Sequence, residues 1–254
     1  MNQPGRTVAI VQARTGSTRL PGKVLADLCG RPLLARVLER VAACPGIDAI
    51  MVATTTLPDD AALAPLAREA GAEVFHGSAD DVLERYCLAA RQAKAEVVVR
   101  ITADDPFKDP GVIAALLETF AQGGHDYVSN TLSPSYPEGL DTEVFSREAL
   151  ERAHRDAAKP FEREHVTPFI WMRPQDFRLR NISCPQDLSA LRLTVDTPAD
   201  LELARALYAE LLRLGRPFFL DDITALLDAR PDLLALMPQV PRNLGLTLSM
   251  ENSG

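Results

Sequence analysis

The stretch Gln12-Ala-Arg-Thr-Gly-Ser-Thr-Arg-Leu-Pro-Gly-Lys23 decides how the rest of the chain is read. It follows the apolar run Val8-Ala-Ile-Val11, which reads as a short buried strand, and it precedes a helix that starts near Pro32. A strand that runs into a Gly-bearing, basic loop and then a helix suits a phosphate group. Arg14, Arg19 and Lys23 supply fixed positive charge, and Gly16 and Gly22 let backbone amides approach an anion. Three cations within ten residues repel one another, and a polyanionic ligand removes that conflict. The competing reading is a solvated surface loop that binds nothing.

The spacing excludes two common nucleotide motifs. A P-loop needs Gly, four residues, then Gly-Lys-Ser/Thr, whereas five residues separate Gly16 from Gly22 and Val24 follows Lys23. No Gly-x-Gly-x-x-Gly fingerprint follows the first strand.

Composition narrows the class. At 254 residues the chain fits one large domain, and 46% hydrophobic residues is ordinary for a globular protein. A net charge of −8 opposes general nucleic-acid binding. No apolar run approaches the ~18 residues of a membrane-spanning helix. The opening Met1-Asn-Gln-Pro-Gly-Arg6 lacks the apolar centre of a signal peptide, so a cytoplasmic location is expected. Cys29, Cys44, Cys87 and Cys184 are dispersed and read as reduced thiols, and the scattered histidines do not form a zinc motif.

Strand and helix signals alternate outward from the basic loop. Apolar residues at helical spacing run from Leu33 to Val41. Ile50-Met-Val-Ala53 and Glu73-Val-Phe75 read as strands, with a helix between them capped by Asp59 or Asp60. Residues 80–94 read as a helix, Val97-Val-Val-Arg-Ile101 as a strand, and Asp109-Pro110 as the cap of a helix reaching about residue 121. This rhythm predicts a mainly parallel sheet with helices on both faces.

Residues 126–190 break the rhythm and read as an inserted strand-loop-helix segment. Strands are expected at 127–130 and 142–145, and helices from Ser146 to about 158 and over 164–172. The segment is expected to fold across the ligand edge, to pack against a second subunit, or to do both. Leu191-Arg-Leu-Thr-Val195 restores the strand pattern, and Thr197-Pro-Ala-Asp200 is a capping-box helix start. The domain is expected to end near residue 243, with a flexible tail over 244–254.

Two aspartates end apolar runs. Val97-Val-Val-Arg-Ile101 leads to Asp104, and Leu193-Thr-Val195 leads to Asp196. Open α/β sheets bind ligands beyond the carboxyl ends of their strands. Two such aspartates opposite a phosphate loop make a candidate Mg2+–triphosphate site, since Mg2+ takes one or two carboxylates plus phosphate oxygens. Asp196 reads equally as a helix cap, and Asp105-Pro106 as a turn.

Taken together, these residues resemble the cytidylyltransferase family that activates sugar acids, which includes the 3-deoxy-manno-octulosonate and acylneuraminate enzymes. The nearest branch is the spore-coat polysaccharide, glycosyltransferase-like group. The resemblance rests on residues 11–25, Gly77-Ser-Ala-Asp-Asp-Val-Leu-Glu-Arg85, Val99-Arg-Ile-Thr-Ala-Asp-Asp-Pro106, Ser129-Asn130, Pro137-Glu-Gly-Leu-Asp141, Glu164-His-Val-Thr-Pro168 and residues 192–201. That group usually reads Thr-Gly-Asp-Cys-Pro where this chain has Thr102-Ala-Asp-Asp-Pro106.

The resemblance implies a Rossmann-like nucleotide-diphospho-sugar transferase fold, a homodimer, and Mg2+-dependent transfer of CMP from CTP to an acidic sugar in polysaccharide biosynthesis. It implies that Gln12, Ala13, Arg14, Gly16, Ser17, Arg19 and Lys23 bind the nucleotide, with Arg14, Lys23 and Asp104 catalytic and Asp104 and Asp196 holding the metal. Ser78, Asp81 and Arg85 would lie near the base and ribose or the acceptor. Asn130, Asp141, Glu143 and His165 are candidates for the acceptor pocket, and His165 reads equally as a structural histidine. Two rivals stay open: a glycosyltransferase using a nucleotide-sugar donor, against which the absence of Asp-x-Asp counts, and a catalytically silent nucleotide-binding subunit.

Overall fold

The computed structural model describes residues 5–251. Strand β1 (Thr7–Gln12) pairs in parallel with β2 (Ala49–Thr55) on one side and β4 (Val97–Thr102) on the other, and β3 (Glu73–Gly77) extends the sheet beyond β2. The inserted segment adds β5 (Tyr127–Ser129), β6 (Glu143–Ser146) and β7 (Leu179–Asn181). The order is β3-β2-β1-β4-β6-β5-β7. The sheet is mixed because β6 runs antiparallel to both β4 and β5.

β1 is apolar on both faces because both faces are covered. Ala9 and Val11 belong to one core, with α1 (Leu33–Ala42), α2 (Leu63–Glu69), α4 (Pro110–Ala121), α8 (Pro198–Leu211), α9 (Leu220–Ala229) and α10 (Pro231–Leu234). Val8 and Ile10 belong to a second, with α3 (Val82–Gln92), α5 (Arg147–Asp156) and α7 (Pro168–Trp171). The layers are those the alternation of apolar runs predicts.

The expected caps form at several helix starts. Asp109 accepts from Gly111 N at 2.7 Å and Val112 N at 3.2 Å, and its second oxygen accepts from Leu220 N at 2.6 Å, which ties α4 to α9. Ser146 accepts from Ala149 N at 3.1 Å at the start of α5. Thr197 and Asp200 form the capping box of α8.

Five local expectations are corrected. Asp60 does not cap a helix: it sits in the 3-10 turn Pro58–Asp60, and its carboxylate turns inward to Thr15 and Thr55. Residues 191–195 are extended but join no strand, because β1 and β6 already occupy both edges of β4. They pair instead with loops, through Leu193 N to Glu138 O at 2.7 Å and Val195 N to Asp104 O at 2.8 Å. The helix expected over 164–172 is two short helices, α6 (Pro160–His165) and α7, separated at Val166, whose φ is 73°. β7 was not expected; its three residues carry no long apolar pattern. Residues 244–251, expected as tail, form α11 (Leu244–Glu251), which packs beside α6. The last three residues lie outside the described range.

Candidate active site

The basic loop leaves β1 and is braced from below. Asp60, 1% exposed, accepts from Thr15 N at 2.6 Å, Thr15 Oγ1 at 2.7 Å and Thr55 Oγ1. Burial pushes this carboxyl up, but the threonine hydrogen bonds outweigh it and hold it below the ordinary range. Gly22 sits in the left-handed region at φ 69°, where a side chain is strained, and it turns the chain so that Lys23 enters the protein. Gly16 has no such backbone demand and stands in open space.

Lys23 is the centre of the site. Its buried ammonium donates to Asp104 Oδ2 at 2.6 Å and Asp196 Oδ1 at 2.9 Å. Burial opposes the charge, yet the two carboxylates outweigh it and raise the lysine pKa. Asp104 is likewise disfavoured by burial as an anion and held below its ordinary value by Lys23. The two aspartates found at the ends of apolar runs therefore meet at one cation.

Asp196 is not a helix cap. Its Oδ1 also pairs with Arg19 at 2.9 Å, and its Oδ2 accepts from Arg192 Nη2 at 2.8 Å. Arg192 holds two further carboxylates, Glu138 at 2.5 Å and Asp200 at 3.0 Å, with only 5% of its side chain exposed. A single guanidinium thus fixes the position of Asp196. Sequence reasoning missed Arg192; its only local signal is a cation inside an otherwise apolar run.

Two clefts join at this point. One, of about 280 Å3, is lined by Gln12, Arg14, Gly16, Ser17, Arg19 and Lys23 together with Asp104, His165 and Asp196. The other, of about 370 Å3, shares Arg19, Asp104, His165 and Asp196 and extends past Asp141 and Glu143 to residues 240–246. A small side recess of about 130 Å3 is bounded by Gln12, Ala13, Arg14, Arg85 and His165.

Arg14 is exposed and makes no hydrogen bond or ion pair among the described residues. Arg85 faces the same recess from α3. It is buried, donates to Ser78 O at 2.5 Å, and leaves Nε without a partner. Burial, with Arg14 adding to it, lowers its pKa. Ser78 and Asp81 do not line the clefts. Asp81 caps α3 through Glu84 N at 2.9 Å and pairs with Arg163 at 2.6 Å.

In the larger cleft, Glu143 pairs with Arg100 and accepts from Tyr127 and Thr167 hydroxyls, each at 2.5 Å. Those partners hold it below the usual carboxylate range although it is buried. Asp141 is pushed up to about 6, chiefly by burial, with Arg242 and Lys108 working against the shift. Asn130 does not reach the cleft. It is fully buried, donates to Leu140 O at 3.0 Å and accepts from Thr142 N at 2.8 Å, so it positions the backbone that carries Asp141 and Glu143. Asp105 lines the cleft but does not join the Lys23 pair; it turns to Lys108 at 2.9 Å and to the Thr102 hydroxyl at 2.7 Å.

His165 borders all three spaces. It is held by a γ-turn: Val166 has φ 73° and ψ −57°, and Thr167 N donates to His165 O at 2.9 Å. Its Nε2 lies 3.1 Å from Ser249 Oγ on α11, and burial lowers its pKa.

Comparison with known proteins identifies the family. The family model described as cytidylyltransferase matches residues 8–221. The chain is 34% identical over 206 residues to the spore coat polysaccharide biosynthesis protein SpsF of Bacillus subtilis, covering 78% of this chain and 85% of that protein. It is 32% identical over 243 residues to a 3-deoxy-manno-octulosonate cytidylyltransferase of an Anaeromyxobacter species, covering 80% and 97%. A solved cytidylyltransferase structure from Leptospira borgpetersenii superposes with a TM-score of 0.87 at 28% identity, covering 94% of this chain and all of that one. The family-model match over residues 8–221, with relatives 32–34% identical over about four fifths of the chain, places the chain in the cytidylyltransferase family, as a nucleotidyltransferase.

Proposed function

We propose that this protein transfers CMP from CTP to a hydroxyl of a sugar acid, releasing pyrophosphate, in the biosynthesis of a surface polysaccharide. The observation that carries this reading is the convergence of Lys23, Asp104 and Asp196 where the basic cleft meets the acid-rich one. The triphosphate would lie along the loop, with Arg14, Arg19 and Lys23 on the β- and γ-phosphates, and an acceptor hydroxyl from the second cleft would attack the α-phosphorus. Charge then builds on phosphate oxygens that fixed cations already face. The relatives named for 3-deoxy-manno-octulosonate and spore-coat polysaccharide support the acceptor class and the pathway.

The donor set fits Mg2+. Two carboxylates already share one cation, and among the described residues no cluster of three or more His, Cys, Asp or Glu builds an all-protein cage. Mg2+ bound through one or two carboxylates and phosphate oxygens requires only this. Asp104 and Asp196 would hold the ion, which would neutralise phosphate charge when bound. A homodimer through residues 126–190 and a cytoplasmic location complete the proposal. Four cysteines without disulfides support that location. Among the described residues no helix is long and apolar enough to cross a membrane.

The test is thermal stabilisation by CTP, UTP, ATP and GTP with Mg2+, followed by pyrophosphate release with sugar acids. CTP at a hundred times its dissociation constant adds about 2.7 kcal/mol. A Mg2+-dependent response to CTP, weakened in Asp104→Asn, is the expected result. A flat response to all four nucleotides overturns the reading.

A further inference from the structure

Six carboxylates and three guanidiniums line the larger cleft. A sugar acid entering it brings one more negative charge. It therefore needs a cation that can leave its present partner at low cost, and most nearby cations cannot. Arg192 holds three carboxylates at 5% exposure. Lys108 is fully buried between Asp105 and the Asp141 carbonyl. Arg100 is matched to Glu143, whose carboxylate is also held by two hydroxyls. Arg19 borders both clefts and Lys23 the nucleotide half, and both are paired with Asp196, the carboxylate that Arg192 fixes.

Arg242 differs. It belongs to the C-terminal segment whose residues Val240, Pro241 and Asn243 line the cleft. Its Nη1 donates to Tyr136 O at 2.9 Å, and its Nη2 pairs with Asp141, a cleft carboxylate. Its Nε is buried without a partner. Asp141 offers only Oδ1 to Arg242, and its Oδ2 accepts no hydrogen bond among the described residues. The segment is fastened by Asn243 N to Glu138 at 3.3 Å, by Ser249 Oγ to Glu164 at 2.8 Å and His165 at 3.1 Å, and by α11 packing beside α6, although α11 buries none of its described side chains. Arg242 therefore has a single carboxylate partner and a buried Nε without one, and it stands between residues that line the cleft.

We propose that Arg242 binds the carboxylate of the acceptor, exchanging Asp141 for it as the acceptor enters. The inference rests on the sugar-acid reading above. The exchange replaces one ion pair by another, so the guanidinium is not left bare in a half-buried site. Arg242, Lys108, Asp105 and Glu138 face Asp141, and burial already pushes its carboxyl up to about 6, so on losing the guanidinium it can take a proton instead. The C-terminal segment becomes the wall that distinguishes an acid from a neutral sugar.

The experiment measures pyrophosphate release with 3-deoxy-manno-octulosonate and N-acetylneuraminate, each as the acid and as its carboxamide. Wild type is expected to prefer the acid at least tenfold. Arg242→Gln is expected to raise the acceptor KM at least tenfold, erase the preference, and leave the KM for CTP and the thermal shift with CTP unchanged. Arg242→Lys should fall between. Asp141→Asn removes the competing carboxylate and should lower the acceptor KM several-fold, which tests the exchange even if Arg242→Gln folds poorly. An unchanged acceptor KM in Arg242→Gln, an acceptor KM raised tenfold in Asp141→Asn, or equal use of acid and amide by wild type overturns the inference while leaving CMP transfer standing. No release from either acid, with the CTP shift intact, overturns the sugar-acid reading and this inference with it. Loss of the CTP shift itself in wild type removes the nucleotide reading.

Discussion

The ammonium of Lys23 stands 2.6 Å from the carboxylate of Asp104, although 81 positions separate the two residues. The parallel pairing of β1 with β4 makes the contact, since Gln12 and Thr102 are in register at the ends of the two strands. Asp104 follows β4 by two residues, and the turn at Gly22 brings the basic loop back so that Lys23 meets it there.

Asp104→Asn keeps the side chain's shape and removes its charge. We expect kcat to fall about 10²–10³-fold, the scale seen when one well-placed electrostatic group is lost, with a cooperative thermal transition retained. Turnover near that of wild type would sink the assignment of this carboxylate.

Asp60→Ala removes three hydrogen bonds and leaves the buried Thr55 hydroxyl without its acceptor. We expect a loss of about 2–4 kcal/mol in urea unfolding and a higher KM for CTP, because the loop carrying Arg14 is no longer braced. A stable variant with an unchanged KM would show that the loop holds its shape unaided.

Arg192 tests whether geometry or charge alone fixes Asp196. Arg192→Met strands three carboxylates and should cost about 3–5 kcal/mol. Arg192→Lys restores the charge but not the planar fork that reaches Glu138, Asp196 and Asp200 together. The lysine variant should fold and still lose most of its rate. Full activity would mean that charge suffices.

Asp141 gives a pH signature with a definite sign. Its carboxyl titrates near 6 in the fold against 3.8 as its ordinary value, so the folded state holds the proton longer. Its contribution to stability is complete at low pH and is lost as pH rises through about 6. Between pH 4 and 7 the unfolding free energy of wild type, relative to Asp141→Asn, should therefore decline by about 2.4 kcal/mol. A difference that is flat with pH would show that Arg242 keeps the carboxyl ionised throughout.

Much of the fold was legible because its signals are local. Val97-Val-Val-Arg-Ile101 is apolar enough to be a covered strand, and Asp109-Pro110 and Thr197-Pro-Ala-Asp200 announce helix starts by their own hydrogen-bonding chemistry. The basic loop and both aspartates could be read for the same reason, as turn residues and carboxylates at the ends of apolar runs. What escaped was set by distant partners. Asp60 has the sequence of a helix cap, and only the approach of Thr15 and Thr55 turns it inward. Arg192 looks like an interruption until Glu138 and Asp200 arrive around it. Residues 191–195 have a strand's pattern but find no open edge on β4. Residues 240–246 have no pattern that marks them as a cleft wall, and Asn130 is polar in sequence yet spent inside the protein.

The turn at Val166 links the durability of the protein to its working shape. A valine at φ 73° is held against a conformational penalty of about 1–3 kcal/mol. Its side chain, fully covered within the second core, is what keeps it there. His165 and Thr167, on either side, face the larger cleft only while that anchorage lasts. Warming that softens the packing around Phe169, Ile170 and Phe177 would let the turn relax while the sheet is still intact. Activity should fade some degrees below the melting temperature, with the histidine swinging away before the fold gives way.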